Sequence, residues 1–193
     1  MNRRSFLSGI AASSFLPSLV LAQSSAHPFA RLINPDTGHL YEPQAGKFTL
    51  AMFMSAQESY PSCGGAFIGV HQALAYMRRP DKVQPVIVMP KISDQSNTND
   101  YRNLQRAKSS EVDFTILTGD LGDVLAAADM VDGAFFERDN NGKVSGHTLD
   151  AFFLTPSGRM IFHHRAEDNF TLTPLVDRAI QVCESVFARN RCL

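Results

Sequence analysis

The chain has 193 residues, 44% hydrophobic and 19% charged, with 18 basic and 19 acidic side chains and a formal net charge of −1. That length and apolar content suit one globular domain with a sizeable core. The near-neutral balance supplies no basic excess for nucleic acid or for an anionic membrane surface.

The first residues read as an export signal. Arg3-Arg4-Ser5-Phe6-Leu7 is a paired arginine followed by Phe-Leu, ahead of a weakly apolar stretch from Gly9 to Leu21. That stretch is too short and too rich in Ser, Ala and Gly to span a bilayer, which takes about 20 apolar residues. Val20-Leu21-Ala22 is a small-residue cleavage site. Residues 1–22 are therefore expected to be a twin-arginine signal peptide, with no stable membrane span left after cleavage. The mature protein should work in a bacterial periplasm. Residues 23–30 read as a flexible leader and 31–193 as the folded domain.

Within that domain, Arg31 to Tyr41 carries apolar flanks around Pro35-Asp36-Thr37-Gly38, a hairpin signal. Gly46-Lys47 makes a second turn. Phe48 to Ser55 then reads as a buried strand, with Phe48, Leu50, Met52 and Met54 on one side and Thr49, Ala51 and Phe53 on the other. A polar loop follows and sets Cys63 just before a helix expected from Ala66 to Arg78. Phe67, Val70, Leu74 and Met77 fall on one face of that helix. A thiol on a strand-to-helix turn is chemically exposed, and the helix N-terminal amides favour its thiolate.

Further on, Val83 to Met89 predicts a strand, and Ser93 to Asn99 a polar loop capping a helix over about Asp100 to Lys108. Val112 to Ile116 predicts a short strand, after which Leu117-Thr118-Gly119-Asp120 caps a helix from Leu121 to Asp129. Ala134 to Glu137 is strand-like and Asp139-Asn140-Asn141-Gly142 a turn. Leu149 to Leu154 and Met160 to His164 predict a hairpin closed by Thr155-Pro156-Ser157-Gly158. Thr173-Pro174 reads as an N-cap with proline at the first helical position, opening a last helix to about Ala188. Strands alternating with helices, then a hairpin and a final helix, predict an α/β fold with a central mixed sheet and helices on both faces. With an N-terminal β-hairpin and Cys63 just past the first main strand, the thioredoxin-like fold matches best.

In order and spacing, the segment from about Leu32 to Phe187 resembles the SCO/SenC copper-handling proteins of cytochrome oxidase assembly. The resemblance rests on the leading hairpin with Gly38, the Gly46-Lys47 step, the polar Ser93 to Tyr101 segment and Leu117-Thr118-Gly119. It continues through Gly146-His147-Thr148 into Phe152-Phe153-Leu154 and Pro156-Ser157-Gly158-Arg159. In that family, two cysteines of a C-x-x-x-C loop and one distant histidine bind copper. Cys63 falls on the second cysteine and His147 on the histidine. Ser59 stands where the family has its first cysteine.

The resemblance thus implies copper as Cu(I) or Cu(II), held by Cys63 and His147. The partner it implies is a cytochrome oxidase subunit or another periplasmic cuproprotein. Serine replaces a soft, ionisable ligand by a hard hydroxyl. Glu58, Ser59, Met54 and Met89 are the candidate additional ligands. His71 lies eight helical residues beyond Cys63, about 12 Å along an axis, and is a poor candidate. His163 and His164 are strand neighbours expected on opposite faces.

The same serine removes the resolving thiol of a dithiol cycle, so the alternative activity is a single-cysteine thiol-disulfide oxidoreductase or redox sensor using Cys63. A lone cysteine on this fold also occurs in peroxiredoxins, but their Thr three positions earlier is here Tyr60. Cys183 and Cys192 remain. A continuous helix would hold them about 13 Å apart, beyond disulfide reach, so they can pair only if the chain turns back, with Asn190 as a stop residue. That pairing is favoured; the competing one joins Cys63 to Cys192.

Overall fold

The structure is a computed structural model and describes residues 27–54, 60–91, 113–131, 136–138, 140, 144–166 and 168–185. At 60–66, 136–138, 144–147 and 169 it describes the backbone alone. Its elements in chain order are β1 (Ile33–Asn34), β2 (His39–Leu40), β3 (Phe48–Phe53), α1 (Tyr60–Tyr76), β4 (Val83–Pro90) and β5 (Thr115–Gly119). They continue with α2 (Leu121–Met130), β6 (Phe136–Arg138), β7 (Val144–His147), β8 (Asp150–Leu154), β9 (Met160–Arg165) and α3 (Asn169–Glu184).

Seven strands form a mixed sheet in the order β2-β1-β5-β4-β3-β8-β9, and β6 pairs with β7 separately. β3, β4 and β5 are parallel neighbours, while β8 runs antiparallel to β3 and β9 to β8. The period-two alternation of β3 sorts its side chains into two cores. Phe48, Leu50, Met52 and Met54 pack with Val70, Ala73, Leu74 and Met77 of α1 and with Leu172, Val176 and Ile180 of α3. Ala51 and Phe53 face the other way, onto Val124, Ala127 and Ala128 of α2 and onto Phe29, Leu32 and Tyr41. Burying each Leu- or Phe-sized side chain contributes about 1.5–3 kcal/mol, so both helical layers are held by the sheet. The expected mixed sheet covered on both faces is what forms, with the leading hairpin turning at Gly38 (φ 72°).

Several boundaries differ from the sequence reading. α1 starts at Tyr60, not Ala66, so Cys63 lies inside its first turn. Pro61 explains this, because a proline costs nothing where backbone N–H groups have no helical partner. β5 runs through Leu117-Thr118-Gly119, which the sequence suggests as a cap, because Thr118 and Gly119 pair with Met89 and Pro90.

α3 starts at Asn169, and its N-cap is Asp168, whose carboxylate accepts from Thr171 N at 3.2 Å. Pro174 is therefore inside the helix. The bond it deletes would have ended on the carbonyl of Phe170, whose side chain is 89% exposed, so water can serve that carbonyl instead. α3 ends at Glu184, with Ser185 extended (φ −66°, ψ 146°), short of the expected Ala188. Along it Leu172, Val176 and Ile180 are buried, while Leu175 is 39% exposed.

Packing also begins earlier than expected. Residues 27–30, the end of the expected leader, form a turn in which His27 and Phe29 are buried. Phe29 meets Phe53 and Tyr41 edge-on, with ring centroids 6.0 Å apart in each case. The helix expected over 100–108 lies outside the described residues.

Candidate functional site

Because β3, β4 and β5 are parallel, their C-terminal ends define one end of the sheet. The β3-α1-β4 crossover returns the chain from there, so the first turn of α1, with Cys63, sits at that end. Cys63 is the fourth helical residue, so its own N–H is among the amides that lack a helical acceptor. Those amides and the helix dipole stabilise an anion in the first turn, and so favour a thiolate there.

β8 starts at the same end. Its register with β3, Met52 opposite Ala151, continues to put Asp150 beside Phe53. His147 is the last residue of β7, pairs with Phe136, and precedes Asp150 by only Thr148 and Leu149. Three residues reach at most about 10 Å. The backbones of Cys63 and His147 are thus carried to one end of the sheet by different elements.

The two candidate thioethers lie at this end as well. Met54 N donates to Val88 O at 2.8 Å, which extends the pairing of Phe53 with Val88 by one residue and sets Met54 next to Met89. Met54 packs in the core beneath α1, and Met89 follows Val83 and Ile87 onto that face by strand alternation. Both side chains are buried. Their donor set is soft. Among the described residues, no three His, Cys, Asp or Glu side chains gather to hold a metal ion. Two neighbouring thioethers are soft donors of the kind Cu(I) takes. Glu58 and Ser59 lie outside the described residues.

Other candidates fall elsewhere. His163 Nδ1 lies 3.2 Å from Asp150 Oδ2 and its ring stacks on Phe152, while His164 Nε2 lies 3.6 Å from Asp168 Oδ2. The two histidines thus have separate partners, as strand neighbours should. Asp168 is held below the usual carboxylate range, first by the Thr171 hydroxyl and backbone amide. Cys183 is at the last turn of α3, buried and disulfide-bonded. Cys192 lies outside the described residues. The sequence reading passed over His27, which is buried against Phe29 and Tyr41. Only the adjoining Pro28-Phe29 signalled that a polar leader had ended.

Among solved structures, copper-bound ScoI from Arabidopsis thaliana superposes at a TM-score of 0.56 with 16% identity, covering 78% of this chain and 94% of that one. The fold is the thioredoxin-like one, in the form seen in SCO/SenC proteins. Copper-bound ScoI from Bradyrhizobium japonicum matches at TM-score 0.51, with 16% identity over 76% of this chain and 94% of the other. A SCO1/SenC family lipoprotein from Bacillus anthracis matches at 0.58, with 16% identity over 79% and 92%. At these identities the likeness is one of fold. No family model and no curated protein matches the chain. Among the described residues, no helix is long and apolar enough to cross a membrane.

Proposed function

We propose that the chain is an exported, SCO/SenC-like copper-binding protein or metallochaperone, acting in respiratory cytochrome oxidase maturation or copper homeostasis. Copper is its cargo, taken by the Cys63 thiolate and the His147 imidazole, with Met54 or Met89 as a third donor in place of the cysteine that Ser59 replaces. One observation carries this reading: the backbones of Cys63 and His147 and the neighbouring Met54 and Met89 all lie at one end of the sheet. The paired Arg3-Arg4 supports delivery to the periplasm by the twin-arginine route, where an oxidase subunit or another cuproprotein would be the recipient.

The test is Cu(I) titration of periplasm-purified protein against a chromophoric chelator. Wild type should take one copper per chain. Cys63→Ser and His147→Ala should each lose more than the about 10- to 100-fold that loss of an outer-shell partner costs, because each removes a ligand itself. Unchanged affinity in Cys63→Ser would rule the reading out. Arg3→Lys with Arg4→Lys should abolish recovery from the periplasm; undiminished recovery would refute the export route.

A second reading is favoured by the helix-N-terminal position of Cys63 on this fold. It makes the protein a single-cysteine thiol-disulfide oxidoreductase or redox sensor. Rapid alkylation of Cys63 at neutral pH, without copper binding, would select it.

A further inference from the structure

Cys183 is disulfide-bonded, and the chain holds two other cysteines, Cys63 and Cys192. The packing of α1 and α3 decides between them. Thr173 Oγ1 donates to Ala73 O at 3.3 Å, and Arg78 N donates to Asp177 Oδ1 at 3.1 Å. The contacts advance together along both helices, so α1 and α3 run parallel. Beyond the end of α1, Glu184 pairs with Arg79 at 3.2 Å and Lys82 at 3.8 Å.

Cys63 precedes Ala73 by ten helical residues, about 15 Å, and Cys183 follows Thr173 by ten, about 15 Å the other way. The two cysteines are therefore about 30 Å apart along the helix pair, whereas disulfide Cα atoms must lie within about 7 Å. Backbone helicity stops at Ser185, seven residues before Cys192, so the helix does not carry the chain on to that cysteine. We infer that Cys183, at the end of the helix pair opposite Cys63, is joined to Cys192 in a C-terminal clip, and that Cys63 has no cysteine of its own chain to pair with.

This has a chemical consequence for the thiol. Closing the clip takes two electrons and two protons from the two thiols; a disulfide of an exported oxidant protein or small molecule accepts them by thiol–disulfide exchange. Once closed, the clip removes the only other thiols that could resolve a sulfenic acid or a mixed disulfide on Cys63. Any disulfide that Cys63 forms is then with another molecule. The inference holds whether Cys63 binds copper or a partner thiol, so its test is independent of the copper reading.

The test is a linkage map of periplasm-purified, chelator-stripped protein, alkylated in denaturant without reductant and digested for mass spectrometry. A peptide joining residues 183 and 192 is expected, with Cys63 alkylated or carrying an external thiol. Any peptide joining 63 to 183 or 192 overturns the inference, as does alkylation of both 183 and 192 before reduction. In Cys63→Ser the 183–192 peptide should persist in full; its loss would also overturn the assignment.

Discussion

His27 carries a cost that its neighbours impose. Its ring lies 5.2 Å from Phe29 and 5.3 Å from Tyr41, and Nδ1 accepts from Phe29 N at 3.3 Å. Nε2 is buried with no hydrogen-bond partner among the described residues. Gly158 (φ 88°) makes room for it, since a Cβ there would come within 2.7 Å of the His27 ring. Burial pushes the His27 pKa down to about 4, and pushes that of the Tyr41 phenol up. The unfolded chain, with an ordinary histidine near 6.5, takes up the proton first. Stability is therefore complete above about pH 6.5 and falls as pH drops toward 4. His27→Asn keeps an acceptor for Phe29 N but cannot titrate. Chemical unfolding across that window should show a shallower acid loss in this variant; an identical slope would contradict the assignment. Nothing in the sequence marked His27 as buried, because its partners Tyr41 and Gly158 meet it only in the fold.

Among the elements, the strands were legible wherever apolar alternation was strong. Phe48 to Phe53, Asp150 to Leu154 and Met160 to Arg165 fall where the pattern predicts them, because each has a side to bury. Helix starts were less legible. At α1 the apolar periodicity begins only with Phe67, but Pro61 lets the helix form about two turns earlier, through Gly64 and Gly65. At α3 the Thr173-Pro174 pair imitates a start, yet Asp168 has the better position, accepting from both the backbone and the hydroxyl of Thr171. The same helix supports a prediction on its far end. If the Cys183–Cys192 clip closes its nine-residue span, removing it restores loop entropy worth about 2.5 kcal/mol to the unfolded chain. Cys192→Ser should then melt about 5–10 °C below wild type under oxidising conditions, and equal it under reducing ones. A melting point unchanged under oxidising conditions would contradict the clip.

For the whole molecule, the sheet order carries the backbones of Cys63 and His147 to one end. Cys63 leaves β3, His147 leads into β8, and β8 is antiparallel to β3, so two distant stretches of sequence start from the same end. The sequence resemblance to SCO/SenC proteins anticipated this fold, and 16% identity with copper-bound ScoI superposes on it. What no alternation could reveal is that Met54 and Met89 become register neighbours there, since that depends on how β3 and β4 pair. Copper-edge X-ray absorption of the Cu(I)-loaded mature protein tests the central claim most directly. Sulfur and imidazole scattering should both surround the metal, with the imidazole signal lost in His147→Ala and the sulfur signal diminished in Cys63→Ser. A shell of oxygen and nitrogen alone, unchanged in Cys63→Ser, would contradict the account.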